Sequence, residues 1–216
     1  MRALEDLVNV ETIGTIGTIG LIDKAFALGA VQMREEISAL VELLRTVPLR
    51  NVMEIGAESG GTFYLWCQLA VLGGIKISLD LPDGASGSGR YSDPRALAER
   101  TIEFQSWSPR VRVITGDSHA PLVKARVLRA LNGEKLDFLF IDGDHSYKGV
   151  KADWEDYRGL VRTGGLIAFH DIKDTEFHRK RGCFVAHFWA ELKALNRWME
   201  FSADQDYGGI GVVVTA

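Results

Sequence analysis

Cysteine is scarce in this 216-residue chain, which has only Cys67 and Cys183. Two thiols cannot build a disulfide framework, and their spacing is not that of a metal motif. Each falls in an apolar helical pattern, where a reduced thiol packs as a small hydrophobe. An excess of basic charge is also missing. The formal net charge is -4 and the pI about 5.8, which argues against a nucleic-acid partner. The basic residues are scattered apart from His178-Arg179-Lys180-Arg181. No apolar run is long enough to span a bilayer and no cleavable leader is evident, so the expected compartment is the cytoplasm, with no membrane partner. What remains is an ordinary globular composition, 46% hydrophobic and 25% charged, enough to bury the core of one domain.

Thr12-Ile13-Gly14 recurs as Thr15-Ile16-Gly17 and Thr18-Ile19-Gly20. Glycine at every third position suits neither helix nor strand, because ordering it costs backbone entropy. Three triplets without proline are not collagen either. Residues 1–20 are therefore read as a flexible arm, and 21–216 as the domain proper. Leu21–Val47 reads as helical: Ile37, Leu40, Val41 and Leu44 share a face, and Pro48 is a stop. Strands are expected at Asn51–Ile55, Ile75–Leu81, Val111–Thr115, Leu136–Ile141 and Leu166–His170. Helices are expected near Gly60–Leu72, Pro94–Trp107, Ala120–Leu131, Tyr147–Val161 and Cys183–Leu195. Near-continuous apolar strands such as Phe138-Leu139-Phe140-Ile141 suit a parallel sheet covered on both faces. The last two strands, Trp198–Ser202 and Ile210–Thr215, are joined by too few residues to hold a crossover helix, so the final strand should run antiparallel. The expected fold class is α/β: a doubly wound, Rossmann-like, seven-stranded sheet, mostly parallel, with an antiparallel last strand.

Open α/β sheets bind ligands at the carboxyl ends of their strands. The first strand runs into Glu54-Ile55-Gly56-Ala57-Glu58-Ser59-Gly60-Gly61-Thr62. Glycines in this turn allow close approach of a ligand, and Glu54 suits a cationic portion such as a methionine amino group. The Gly-x-Gly-x-x-Gly of a dinucleotide site is absent, with Glu58 at its middle glycine, which counts against an NAD-dependent oxidoreductase. The second strand closes with Asp80-Leu81, placed for ribose hydroxyls. The third closes with Gly116-Asp117-Ser118, placed for an adenine amino group, and the fourth with Asp142. A structural glycine turn, a loop-capping Asp80 and a helix N-cap at Asp117 or Ser118 are the plainer readings. Acidic residues closing four successive strands point instead to S-adenosylmethionine (SAM).

Ile141-Asp142-Gly143-Asp144-His145-Ser146-Tyr147, followed by Val150, Asp153 and Trp154, resembles the signature of one methyltransferase family. That family holds the macrocin-type O-methyltransferases and the cephalosporin hydroxylase-like proteins. Gln32, Glu54-Ile55-Gly56, Gly60-Gly61-Thr62, Leu79-Asp80-Leu81, Gly164-Gly165-Leu166, His170-Asp171, Phe188-Trp189 and Glu191-Leu192 match as well, so the resemblance covers roughly residues 30–200. It implies a class I SAM-dependent methyltransferase in which Gln32, Glu54, Gly56, Ala57, Ser59, Gly60, Asp80, Leu81, Gly116, Asp117, Ser118 and Asp142 bind the cofactor. It further implies a divalent cation, magnesium or manganese, on Asp142, His170 and Asp171, with His145 as general base.

The chemistry is coherent. A cation lowers the pKa of an acceptor hydroxyl, and a histidine of ordinary pKa near 6.5 takes a proton at neutral pH. His170 stands where relatives often carry a carboxylate, and a nitrogen ligand favours manganese, iron or zinc over magnesium. Plainer roles stay open: Asp142 serving only the cofactor, His170 as a packed strand histidine, His145 as a helix cap. The expected reaction is methyl transfer to the hydroxyl of a sugar or natural product. The alternatives are a SAM-binding protein of the hydroxylase-like branch without transferase activity and, more remotely, an NAD-dependent oxidoreductase. Loops 83–93 and 174–182 should border the acceptor, the second as a solvated charged loop. Such compact enzymes are commonly homo-oligomers, with the N-terminal helix as the suggested interface.

Overall fold

The computed structural model describes residues 17–82 and 94–216. The loop 83–93 and residues 1–16, which include most of the glycine repeat, lie outside the described residues. The chain alternates as α1 (Thr18–Ala27), α2 (Arg34–Arg45), β1 (Val52–Ile55), α3 (Gly61–Leu69), β2 (Lys76–Asp80), α4 (Pro94–Trp107), β3 (Val111–Thr115), α5 (Pro121–Leu131), β4 (Leu136–Ile141), α6 (Tyr147–Tyr157), β5 (Val161–His170), α7 (Glu176–Lys180), α8 (Val185–Leu195), β6 (Arg197–Phe201) and β7 (Ile210–Val214). One seven-stranded sheet runs in the order β3-β2-β1-β4-β5-β7-β6. Strands β1 to β5 are mutually parallel, and β7 is antiparallel to both β5 and β6. The order reverses between β1 and β4, so their carboxyl ends open the crevice where such sheets take ligands.

Alternation along the strands divides the core into two layers. Val52, Phe138, Phe140, Ala168 and Val212 pack beneath α1, α2 and α3. Met53, Ile55, Leu139, Ile141, Ile167, Phe169 and Val213 meet Val123 and Val127 of α5, Val150 and Tyr157 of α6, and Phe188 and Trp189 of α8. Burial on both faces explains why these strands read as unbroken apolar runs. In α2 the buried residues include Ile37, Leu40, Val41 and Leu44, the stripe of one helical face. Among the described residues no helix is long and apolar enough to cross a membrane.

Four local expectations are corrected. The last repeat triplet, Thr18-Ile19-Gly20, is the first turn of α1 rather than part of an arm. The stretch read as one helix from Leu21 to Val47 is two, broken around Gly29, whose φ of +94° is not helical. Helix α6 stops at Tyr157, a 3-10 turn covers Arg158–Leu160, and β5 starts at Val161 with a register shift opposite β4. The expected charged loop 174–182 contains the short helix α7, capped by the Thr175 side chain accepting from the His178 N–H. Side chains of α7 and its N-cap find partners in the β6–β7 connection: Thr175 Oγ1 donates to the Asp206 carbonyl at 2.6 Å, and the Phe177 ring centroid lies 5.4 Å from that of Tyr207.

Candidate active site

Three extra backbone bonds hold four strand ends level. Gly56 N–H donates to the Leu79 carbonyl, Gly116 N–H to that of Asp80 and Asp142 N–H to that of Ile55, all at 2.8 Å. Gly56 takes φ +88°, and a Cβ there would lie 2.0 Å from the Asp142 carbonyl oxygen. The glycine therefore lets the β1 turn lie directly against the end of β4. Glu58 is left-handed at φ +43°, and its N–H is accepted by Asp80 Oδ2 while the Leu81 N–H donates to Asp80 Oδ1 at 2.7 Å. Gly60, also at positive φ, is the N-cap of α3, and a Cβ on it would strike the Phe104 ring. The loop between α1 and α2 lies over this turn, because a Cβ on Gly29 would meet Ser59 and one on Gly61 would meet Ala30.

The predicted cofactor residues fall into distinct settings. Ala57 and Ser59 are buried in the β1 turn, and Leu81 is exposed just beyond β2. Asp80 is buried at the mouth of the sheet, and burial pushes its carboxyl up to about 6 against the hydrogen bonds from Glu58 and Leu81. Glu54 is turned beneath α3, wholly buried and accepting from the Thr62 hydroxyl, and burial drives its carboxyl well above the usual carboxylate range. Asp117 is exposed and accepts from the His119 N–H at 2.9 Å. Ser118 offers its carbonyl to the Tyr157 hydroxyl at 2.6 Å. Beside it, His119 Nε2 stands 3.1 Å from Asp153 Oδ1, on a carboxyl buried behind Gly143 and pushed up to about 6 by that burial.

The ends of β4 and β5 bring the predicted metal and base residues into one cluster. Asp142 Oδ1 lies 3.2 Å from His170 Nδ1 and 3.3 Å from His145 Nε2, and its Oδ2 accepts from Gln32 Nε2 at 2.8 Å. Asp171 Oδ2 lies 3.0 Å from His145 Nδ1, and Oδ1 lies 3.4 Å from His170 Nδ1. Ligand atoms of Asp142, His170 and Asp171 all lie within 4.8 Å of one another. Asp171 holds its place with φ +61°, a left-handed conformation that aspartate tolerates better than most residues. Burial opposes charge on all four groups, yet opposite charges prevail. Beside His170 and His145, the Asp142 carboxyl stays well below its ordinary range, and Asp171 is lowered in the same way. In turn Asp142 and Asp171 raise His145 far above its ordinary value, and Asp142 raises His170 to about 9.

Two residues escaped the sequence reading of the cluster. The sequence places Gln32 with the cofactor, yet its amide reaches Asp142 across 110 residues of chain. In sequence His178 is one of four basic residues of a solvated loop, yet it is 2% exposed. Its Nδ1 bonds the Lys173 carbonyl at 2.6 Å, and its Nε2 faces Asp171 Oδ1 and the Gly208 N–H, each at 3.2 Å. Only the burial of one face of α7 against the β6–β7 connection separates His178 from its charged neighbours. No local signal in the run distinguishes it.

Residues 53–172 match the family model described as "Methyltransferase domain". A curated relative, an uncharacterized protein of Sinorhizobium fredii, is 26% identical over 175 residues; the alignment covers 78% of this chain and 17% of that protein. The chain thus spans less than a fifth of the relative's length. Among solved structures, an O-methyltransferase from Bacillus cereus in complex with SAH superposes with a TM-score of 0.59 at 21% identity, over 94% of this chain and 93% of that one. The O-methyltransferase TomG from Streptomyces achromogenes, solved with SAM, gives 0.59 at 16% identity, over 94% and 92%. At such identities the likeness is one of fold. The family match, however, covers more than half the chain, from β1 to the residue after Asp171, and so includes all four strand ends just described: this chain belongs to the methyltransferase domain family.

Proposed function

We propose that the chain transfers a methyl group from SAM to a hydroxyl of a small molecule, such as a sugar or natural product, with help from a divalent cation. The observation that carries this reading is the convergence of Asp142, His145, His170 and Asp171 beside the β1 glycine turn. Membership of the methyltransferase domain family and the fold shared with proteins solved with SAM or SAH support it. So does the resemblance of Asp142-Gly143-Asp144-His145-Ser146-Tyr147 to the macrocin-type O-methyltransferases.

SAM supplies a methyl group already activated on a sulfonium, so the protein's task is placement in line with the acceptor oxygen. Asp80 accepts from the ribose hydroxyls, Asp117 and Ser118 border the adenine, and the Gly56–Gly60 turn admits the cofactor against the backbone. The donor set fits a cation: two carboxylates and an imidazole converge with ligand atoms within 4.8 Å of one another, and a cation between the carboxylates would offset the negative charge that raises His145 and His170. Asp142, His170 and Asp171 would hold that ion, which supplies Lewis acidity to lower the pKa of the acceptor hydroxyl. His145, the most exposed member of the cluster at 38%, accepts the hydroxyl proton at a ring nitrogen. Gln32 orients the Asp142 carboxylate from behind by donating its amide to Oδ2.

Calorimetric titration of SAM into chelator-treated protein, repeated with magnesium and with manganese, tests the reading. Micromolar SAM binding is expected, with metal binding lost in Asp142→Ala and Asp171→Ala. No SAM binding under any condition would refute the proposal.

A further inference from the structure

The cluster contains a second candidate ligand set. It is formed by His145, Asp171 and Cys183, whose ligand atoms also lie within 4.8 Å of one another. The two sets divide the Asp171 carboxylate between them. Oδ1 faces His170 and His178, whereas Oδ2 faces His145. Their chemistry differs, because the first set offers two carboxylates and an imidazole and the second replaces one carboxylate by a thiol. The second set is also fixed in place by backbone. Phe184 N–H donates to the His145 carbonyl at 2.8 Å, and Cys183 N–H donates to the His178 carbonyl at 3.0 Å. The Cys183 side chain sits at the mouth of the second core layer, 7% exposed, beside the more open imidazole of His145.

We propose that His145, Asp171 and Cys183 form a second cation site that takes a thiophilic divalent ion, zinc in the first instance. Nitrogen, oxygen and sulfur donors from three protein groups suit tetrahedral zinc with a fourth position left open. Thiolate sulfur selects for such ions over magnesium or manganese, which the other set is better suited to hold. On binding, the Cys183 thiol and the coordinating His145 nitrogen give up their protons to solvent. Asp171 serves both sets, so filling one alters the other. An ion on His145 also occupies the lone pair that would accept the acceptor proton. That consequence rests on the methyl-transfer reading, whereas the binding itself does not.

Cobalt(II) tests the site by spectroscopy, without SAM or an acceptor. Chelator-treated protein is titrated with cobalt and then with zinc. A thiolate-to-cobalt charge-transfer band in the near ultraviolet is expected, and zinc should bleach it. Cys183→Ser should abolish the band and weaken zinc binding at least about tenfold, since even supporting residues of metal sites cost about 10–100-fold. Cys67→Ser, on a thiol buried in the other core layer, should leave both unchanged. His145→Asn, a change at a half-exposed position, should weaken zinc binding while sparing the core, and it decides the matter if Cys183→Ser does not fold. Cobalt bound without a thiolate band, a band that survives Cys183→Ser or vanishes in Cys67→Ser, or zinc affinity unchanged in His145→Asn would each overturn the assignment.

Discussion

Replacing Gly56 by alanine isolates the contact on which the site is built. The residue sits at φ +88°, where an L side chain costs about 1–2 kcal/mol. Its added Cβ would lie 2.0 Å from the Asp142 carbonyl oxygen, 2.5 Å from the carbonyl carbon and 2.9 Å from Gly143 Cα. All three are backbone atoms at the end of β4, so relief requires the β1 turn and the strand end to separate. Overpacking of that kind typically costs about 1–3 kcal/mol. Together the two effects predict a loss of about 2–5 kcal/mol and, for a chain of this size, a fall in melting temperature on the order of 5–20 °C. Two other glycines calibrate the estimate. Gly133 has φ +81° but nothing within 4 Å of its Cβ position, so Gly133→Ala carries the conformational cost alone. Gly73 has open space and no positive φ, so Gly73→Ala should be nearly neutral. Thermal and urea melts of the three variants should rank Gly56→Ala far below Gly133→Ala, and Gly133→Ala below Gly73→Ala. Gly56→Ala should also lose SAM binding by calorimetry, because the displaced backbone carries Asp142. A Gly56→Ala melt within a degree of Gly133→Ala would refute the close approach of β1 and β4.

Asp80 is pushed up to about 6, above its unfolded value near 3.9. The folded chain therefore holds this proton more tightly, and the stability the group contributes is present at low pH and lost as pH rises from about 4 through 6. A ribose hydroxyl needs the ionised acceptor, so SAM affinity by calorimetry should fall as pH drops below about 6, and Asp80→Asn should abolish this dependence. Buried Glu36 accepts the Ala203 and Gly209 N–H groups at 2.7 Å each, tying α2 to both sides of the β6–β7 connection. Glu36→Ala leaves the buried Gly209 N–H and the part-buried Ala203 N–H unpaired, and a urea melt should show a loss of about 1–4 kcal/mol. Gln32→Leu removes the amide that steadies Asp142, and manganese affinity by calorimetry should weaken about 10–100-fold while SAM binding without metal changes less.

Much of this protein is determined locally. Apolar runs such as Phe138–Ile141, the helical stripe of α2, the glycine-bearing β1 turn and the short β6–β7 link all follow from backbone geometry and periodicity over a few residues. With the carboxyl-end rule for open sheets, they already place Asp80, Asp117, Asp142, His145, His170 and Asp171 at one edge. Some boundaries were not legible, because the break at Gly29 answers to Ser59 and the early start of β5 to its pairing with β4. The roles of Glu54, Gln32, Cys183 and His178 could not be read locally either. Each depends on which partner the folded chain brings within about 3–5 Å, from 8 residues away for Glu54 and Thr62 to 110 for Gln32 and Asp142. Sequence sets which groups a strand or helix can present. Packing decides which of them are stripped of water and faced with a charge, and that alone separates a buried, cluster-forming His178 from the solvated arginines and lysine beside it.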